Sequence, residues 1–469
     1  MRQVDLAVIG SGSGNSIVDD RFAGMSVALI DDGEPFGGTC LNAGCIPSKM
    51  FTHTAEVADE VRGAGRFGVR AAAPTLDWPV IRDRIFGRID PISLAGLGYR
   101  ESQENVSVMR GTARFTGVRE LEVTYPDGST EALVADRIVL AAGSRPMIPD
   151  IPGLDAPELE GRVHTSDTIM RLDTLPSTMV ILGGGFVAVE FAHIFSALGV
   201  AVTLINRSPY LLRHADAELA RALTEELSSR VVVRLNQTVV EVDGAGRGGV
   251  GVYTTDLNTI EYSYDAEVVL VATGRVPNSD RLNLAATGVE VGPDGLVVVD
   301  EHQRTTAEGI FALGDLSNRW MLKHAANADA RAVQHNLLYP DDPVSVDHGW
   351  IPYAVFCDPQ LASVGVTEQE LRAARTPYLV AVQRYADVAY GWALEDSGVH
   401  VAKVLVDPES LQLLGCHILG PQASTLIQPA IQAMATGLDA RTMARGQYWI
   451  HPALTEVLEN ALLQVAPDR

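Results

Sequence analysis

Short apolar runs alternate with stretches of helical period along most of this chain. The runs include VDLAVIG (4–10), VALID (27–31), RIVLAAGSRP (137–146), TMVILGGG (178–185), VTLIN (202–206) and EVVLVATGRVPN (267–278). Strands of this length with helices between them predict doubly wound parallel sheets, an α/β class. A strand running into a glycine cluster occurs twice, at 4–15 and at 178–190, each time followed by a helical stretch and a second strand. Two dinucleotide-binding units are therefore expected in one chain. Proline-bearing stretches near 146–153 and 340–352 suggest boundaries. The division expected is 1–149, 150–277, 278–345 and 346–469. The last part mixes strands and helices and includes an apolar helix over 425–438.

Composition narrows the class. A length of 469 residues allows two to four cores. Hydrophobic residues make up 46% and charged residues 20%, the balance of a soluble globular chain. The net charge of -23 argues against nucleic acid, which needs a basic face, and against an anionic membrane surface. No apolar run is long enough for a spanning helix. The chain enters a strand pattern at once, without the features of a signal peptide, so a cytosolic protein is expected. In that compartment four cysteines are not structural staples. Cys357 and Cys416 stand alone and are expected as buried small residues.

Each glycine cluster carries its own chemistry. In the first, Gly10 allows a tight turn and Gly12 lets backbone approach a pyrophosphate, with Gly14 beside them and Asn15 where the fingerprint has its third glycine. A helix is expected next, its N-terminus facing the anion and Ser13, Ser16 and Asp20 sharing one face. Asp31, at the end of the second strand, is placed to accept from ribose hydroxyls. The second cluster is Gly183, Gly185 and Ala188. There Asn206 stands where an acid would bind a 2′-hydroxyl, followed by Arg207 and Arg213. Arginines there can grip a 2′-phosphate, which favours NADPH over NADH; the alternative is two solvated surface arginines.

GGTCLNAGCIPSK (37–49) places Cys40 and Cys45 with four residues between them. A regular helix would misalign them for bridging, but Asn42, Ala43 and Gly44 can bend the chain. So local a bridge adds little stability, which makes a redox use the better reading; zinc is the other, with no second cysteine or histidine pair nearby. His451 precedes Pro452, which biases it to extended backbone and suits Pro452 to open a helix. Glu456 would then lie in the first turn and could orient the imidazole.

The cysteine segment, both glycine clusters, ATGRVPN (272–278), TTAEGIFALGD (305–315) and HPALTE (451–456) together resemble the pyridine nucleotide–disulfide oxidoreductase family along the full length. The resemblance implies two Rossmann-like domains and a C-terminal α+β dimerisation domain. FAD would be bound by 1–149, completed by 278–345, and NADPH by 150–277. The cofactor-contacting residues implied are Gly10, Gly12, Gly14, Asp31, Gly38, Thr39, Ala142, Gly143, Gly183, Gly185, Phe186, Arg207, Arg213, Gly274, Arg275, Gly314, Asp315 and His324. Asp315 would bond the ribityl chain, the Lys323–Ala326 segment would set a helix N-terminus near the flavin, and Phe186 would lid the nicotinamide pocket. The catalytic set implied is Cys40, Cys45, Lys49, Glu190, His451 and Glu456. Cys40 would be the interchange thiol and Cys45 the thiolate beside the flavin, favoured by Lys49. Lys49 would pair with Glu190, and His451, held by Glu456, would serve the disulfide of the other subunit in a homodimer.

Within the family, GSGSGNS (10–16), FGRIDPI (86–92), HIFSALGV (193–200), DVAYGWA (387–393) and ARGQYWIHPAL (444–454) are most similar to the branch that reduces mycothiol disulfide. Asp20 would stand where glutathione reductases present an arginine to a substrate carboxylate, and mycothiol has none. Lipoamide dehydrogenases normally carry an acid at the position of Asn206. Mercuric and large thioredoxin reductases need a further C-terminal redox pair. A reading of another class is a flavoprotein that senses redox state without turnover.

Overall fold

The computed structural model describes residues 2–245, 249–396 and 398–466. The first sheet is built on the strand Arg2–Ile9, whose second half is buried on both faces. It pairs in parallel with Val27–Ile30 on one side and with Thr130–Leu140 on the other. Val106–Met109 extends the first edge in parallel. A near-continuous apolar strand is what a sheet covered on both sides demands. The first half of Thr130–Leu140 turns antiparallel, into Glu120–Thr124 and then Thr112–Gly117. Ile310–Ala312 adds in parallel to Thr130–Leu140, so a strand from beyond residue 278 completes the first sheet.

The second sheet is parallel throughout, in the order Val232–Leu235, Ala201–Asn206, Thr178–Leu182, Val268–Val271, Val163–His164. An antiparallel ribbon, Ser144–Pro146 against Arg275–Pro277, joins the chain leaving the first unit to the chain leaving the second. The C-terminal sheet is antiparallel: Tyr353–Val355, Leu361–Gly365, Leu413–Leu419, Val401–Val406, Leu379–Arg384. Its inner face packs on helices Gln428–Thr436, Ala440–Arg445 and Thr455–Val465. The fold is thus two doubly wound α/β units plus an α+β unit. Among the described residues no helix is long and apolar enough to cross a membrane.

Three expectations need correction. No α-helix follows the first glycine turn. The chain makes two short 3₁₀ turns, Gly14–Ile17 and Asp20–Phe22, with Val18 extended between them. Ser13, Ser16 and Asp20 therefore share no helix face. The reason lies in the carbonyls: Arg100 donates to those of Asn15 and Val18, and Gln334 to that of Ile17. Acceptors so occupied do not need the i→i−4 ladder. The apolar segment 425–438 is also not one helix. Ala423–Leu426 and Gln428–Thr436 meet at Ile427, where Pro429 sits in the first turn of the second and Gly437 ends it. Finally, Pro452 opens no helix; the last one begins at Thr455.

Candidate functional site

The first glycine turn is shaped by contact distances. Gly10 has φ of +111°, and a Cβ there would stand 2.2 Å from the Ala141 carbonyl oxygen. Gly38 has φ of +75°, and its Cβ would fall 2.7 Å from the Gly12 Cα. A Cβ on Gly14 would meet the Ala141 Cβ at 2.7 Å, so Gly14 supplies the close packing that the fingerprint assigns to its third glycine. Asp31 accepts from the Ser11 N–H at 3.1 Å and from Arg110 Nη1 at 3.0 Å, while burial pushes its carboxyl up.

The turn opens on a cleft of about 690 Å³. Its walls include Gly10, Gly12, Asp31, Gly38, Thr39, Cys40, Cys45, Lys49, Ala142, Gly143, Phe186, Glu190, Arg275, Gly314, Asp315, Lys323 and His324. Asp315 accepts from the Ser144 hydroxyl at 2.6 Å, and Arg275 Nε donates to that hydroxyl at 2.8 Å. Lys323 opens the helix Lys323–Leu338 and donates to the Ser13 hydroxyl at 2.8 Å; His324 is bonded to the Pro352 carbonyl at 2.7 Å. A trough where a Cβ on Gly10 or Gly38 would collide with backbone, and whose walls carry Asp31, Asp315 and Lys323, fits an extended dinucleotide.

Both cysteines face this cleft. Cys40 lies in the short helix Gly38–Asn42 and Cys45 opens the helix Cys45–Gly63. The break falls at Ala43 and Gly44, as the bend between the cysteines requires. Buried Asn42 fixes the approach by donating to the carbonyls of Pro35 and Phe36, both at 3.0 Å. Both cysteines are free, and no bridge joins them. The Cys40 thiol donates to the Cys45 sulfur, which together with Lys49 holds Cys45 down at about 7 against the effect of burial. The same bond and burial push Cys40 up. The pair therefore carries one charge near neutrality, centred on Cys45.

Lys49, one turn beyond Cys45, is 2.5 Å from Glu190 Oε2 and 4.6 Å from the centre of the Phe356 ring. Glu190 lies in the helix Phe186–Ala197, and its other oxygen accepts from the Phe356 N–H at 2.9 Å. This ion pair thus joins three parts of the chain. Among the described residues no group of three or more His, Cys, Asp or Glu side chains could hold a metal ion.

The second glycine turn surrounds a different place. Gly183 has φ of +125°, and its Cβ would stand 2.3 Å from the Ala272 carbonyl oxygen. Gly274 has φ of +139° beside it, and Gly185 faces open space. Asn206 is buried and donates to the carbonyls of Ser208 and Tyr210, at 3.2 and 3.0 Å. It shapes the turn rather than presenting itself to a ligand. Arg207 and Arg213 are exposed, and among the described residues neither has a carboxylate partner; Arg213 Nε donates to His214 at 3.1 Å.

His451 stands apart from the cleft walls. Its Nδ1 is 2.7 Å from Glu456 Oε1, and the Ala453 N–H donates to Oε2 at 3.1 Å. The imidazole and that N–H hold Glu456 below the usual carboxylate range. Yet the His451 side chain is 71% exposed. Cys357 and Cys416 are buried, as expected, and burial pushes both thiols up, Cys416 to about 12. Sequence reasoning missed Arg100, Arg110, Ser144 and Phe356, which reach the site from distant segments without a local signal.

Comparison with known proteins agrees with this geometry. Residues 4–330 match the family model for pyridine nucleotide-disulphide oxidoreductases, and residues 351–462 match that family's dimerisation domain. The chain is 50% identical to mycothione reductase of Mycobacterium tuberculosis, over 99% of both chains. It is 32% identical to dihydrolipoyl dehydrogenase of Halobacterium salinarum, over 97% of this chain and 95% of that one. It is similar to the Cu(II) complex of the HOCl-induced flavoprotein disulfide reductase RclA from Escherichia coli, with a TM-score of 0.86 and 26% identity over 99% of this chain and 100% of that one. The chain belongs to the pyridine nucleotide-disulphide oxidoreductases, and FAD and NAD(P)H are its cofactors.

Proposed function

We propose that this oxidoreductase draws electrons from NADPH and reduces mycothiol disulfide through Cys40 and Cys45. The observation that carries the chemistry is the thiol–thiolate pair facing the cleft beside the Lys49–Glu190 ion pair. The substrate rests on whole-length similarity to mycothione reductase. Asp20 lends it no support, because it is exposed on a 3₁₀ turn. We assign FAD to 1–149 with 278–345, NADPH to 150–277 and the subunit interface to 346–469. Arg207 and Arg213, which have no carboxylate partner among the described residues, would bind the 2′-phosphate.

FAD and NADPH supply the electron pair that converts the Cys40–Cys45 bridge to the dithiol. Lys49, braced by Glu190, keeps the resulting charge on Cys45. The raised Cys40 thiol needs a base before it can attack. His451 of the partner subunit takes that proton; its exposure and its absence from the cleft of its own chain support a role across the interface. The Cys40 sulfur bonds to one sulfur of the substrate, the substrate S–S bond breaks, and the departing thiolate takes the proton back from the imidazolium. Cys45 then attacks the Cys40 sulfur, restores the bridge and expels the second thiolate, which is protonated from solvent. Two thiols leave for two electrons taken up.

The test follows NADPH and NADH oxidation by the purified flavoprotein with mycothiol disulfide, glutathione disulfide and lipoamide. Rapid NADPH-linked turnover with the first alone is expected. Turnover restricted to another disulfide would overturn the substrate while keeping the relay; uptake of electrons once, without continued turnover, would make the protein a redox sensor.

A further inference from the structure

We propose that Arg100 is a positioning residue for FAD, and that Asn15 is the residue this chain requires where the fingerprint has a glycine. The proposal rests on the assignment of FAD to the first glycine turn. Arg100 comes from the C-terminal turn of the long helix Trp78–Glu101, far from the glycine turn in sequence, and is 5% exposed. Its Nε donates to Asn15 Oδ1 at 2.6 Å, one terminal nitrogen to the carbonyls of Asn15 and Val18 (2.9 Å for Val18), and the other to Gln103 Oε1 at 2.7 Å. Among the described residues no carboxylate forms an ion pair with it, and burial lowers its proton affinity. Asp19 acts on the guanidinium only at a distance, and a buried guanidinium without a directly paired carboxylate is costly, so four neutral acceptors converging on it mark a built arrangement.

That arrangement determines the backbone beside the cleft. The carbonyls of 15, 17 and 18 end on Arg100 and Gln334, and Gln334 Nε2 bonds the Ile17 carbonyl at 2.6 Å. From the cleft side Lys323 holds the Ser13 hydroxyl. The segment after Gly12 is thereby held from two helices as a 3₁₀ turn instead of coiling into an α-helix. Gly14 is left against Ala141, and Gly12 is left packed against the backbone of Gly38. A glycine at position 15 would restore the family fingerprint and remove the acceptor that orients the guanidinium. The structure therefore predicts the reverse of what the motif alone suggests: restoring the consensus glycine weakens FAD binding.

The experiment compares the parent protein with Asn15→Gly, Arg100→Lys and Arg100→Met. The readouts are bound flavin by absorbance, the FAD dissociation constant of the apoprotein, the thermal midpoint of the apoprotein, and the NADPH KM with FAD in excess. Losing a hydrogen bond to a buried charge should raise the FAD dissociation constant about tenfold in Asn15→Gly and more in Arg100→Met. Arg100→Lys keeps charge without the fork and should fall between parent and Met. Excess FAD should restore turnover with an unchanged NADPH KM, which a general loss of fold would not allow. Asn15→Gly holding FAD as tightly as the parent would overturn the proposal. So would equal losses of apoprotein stability and FAD affinity in all three variants. A parent that binds no FAD at all would instead remove the underlying assignment.

Discussion

The two glycine turns of this chain begin alike and end differently. Gly10 and Gly183 occupy the same backbone region, with φ of +111° and +125°, and each presses on a carbonyl of the neighbouring strand, Ala141 and Ala272. Past that point the second turn enters a regular helix, Phe186–Ala197, in which Ala188 is fully buried. The first has Asn15 in the place of Ala188 and no helix; its carbonyls go to side chains from two other helices. The tight turn is thus a requirement of the strand end, imposed by the close approach of a neighbouring carbonyl. The helix after it is only one of several ways to satisfy the backbone groups that follow.

The sharpest way to break the likeness is to add one methyl group at each turn. Gly10→Ala and Gly183→Ala both force a Cβ to within about 2.3 Å of a carbonyl oxygen, at a φ that L-residues resist. The defects should be alike in size and opposite in kind. Gly10→Ala should be isolated with little flavin, with turnover reduced by about a hundredfold or more. Gly183→Ala should keep its flavin absorbance and lose NADPH affinity. Equal flavin loss in both variants would refute the separate assignment of the two turns.

What was readable in the sequence follows the same division. Two doubly wound units were legible because each opens on a largely apolar strand that runs into a glycine cluster, a local signal. Cys40, Cys45 and Lys49 were legible because their spacing is local, and the break at Ala43 and Gly44 was foreseeable from residue type. The helix expected after the first glycine turn does not form because what prevents it, Arg100 and Gln334, lies 82 to 317 residues away. The clamp on Asp31 by Arg110 was invisible for the same reason. Asn206 was correctly placed at the end of its strand, yet its side chain turned out to serve the 206–210 turn. Residue type told what the position lacks, an acid, but not where the amide points.

The comparison extends to what each unit holds. The first carries the thiols, and their titration is a second, smaller test. In the reduced protein the alkylation rate of Cys45 should rise with pH through about 7, because the Cys40 thiol donates to it and Lys49 lies one turn away. Lys49→Met should shift that rise upward, cutting the rate at neutral pH by about threefold. Cys40→Ala should also shift it upward, whereas Cys40→Ser, which retains a donor, should shift it less. Mass spectrometry of the alkylated peptide reads each case, and an unmoved profile in Lys49→Met would remove Lys49 from the account of Cys45.

The second unit is instead secured by charge to the C-terminal sheet, and this gives the mildest expected effect. Lys403, 1% exposed in the strand Val401–Val406, lies 3.1 Å from Asp216 Oδ1, 2.9 Å from Glu218 Oε2 and 2.6 Å from Glu368 Oε2. Asp216 caps the helix Ala217–Ser228 of the second unit, so the ammonium joins two domains through one buried point. Burial works to raise Glu368, but the bonds from Lys403, Tyr378 and Arg372 prevail and hold it at about 2. A depressed carboxyl stabilises the fold fully above its ordinary value of 4.5 and loses that contribution as pH falls toward 2. Glu368→Gln removes one of three carboxylates and leaves Lys403 paired with the other two. It should cost about 1–2 kcal/mol near neutrality, with flavin content and NADPH KM unchanged. Urea unfolding from neutral pH down through 4.5 should show the gap between variant and parent closing in the acid range. A constant gap would mean that Glu368 contributes by packing rather than by charge, and that the join between the second unit and the C-terminal sheet does not depend on its ionisation.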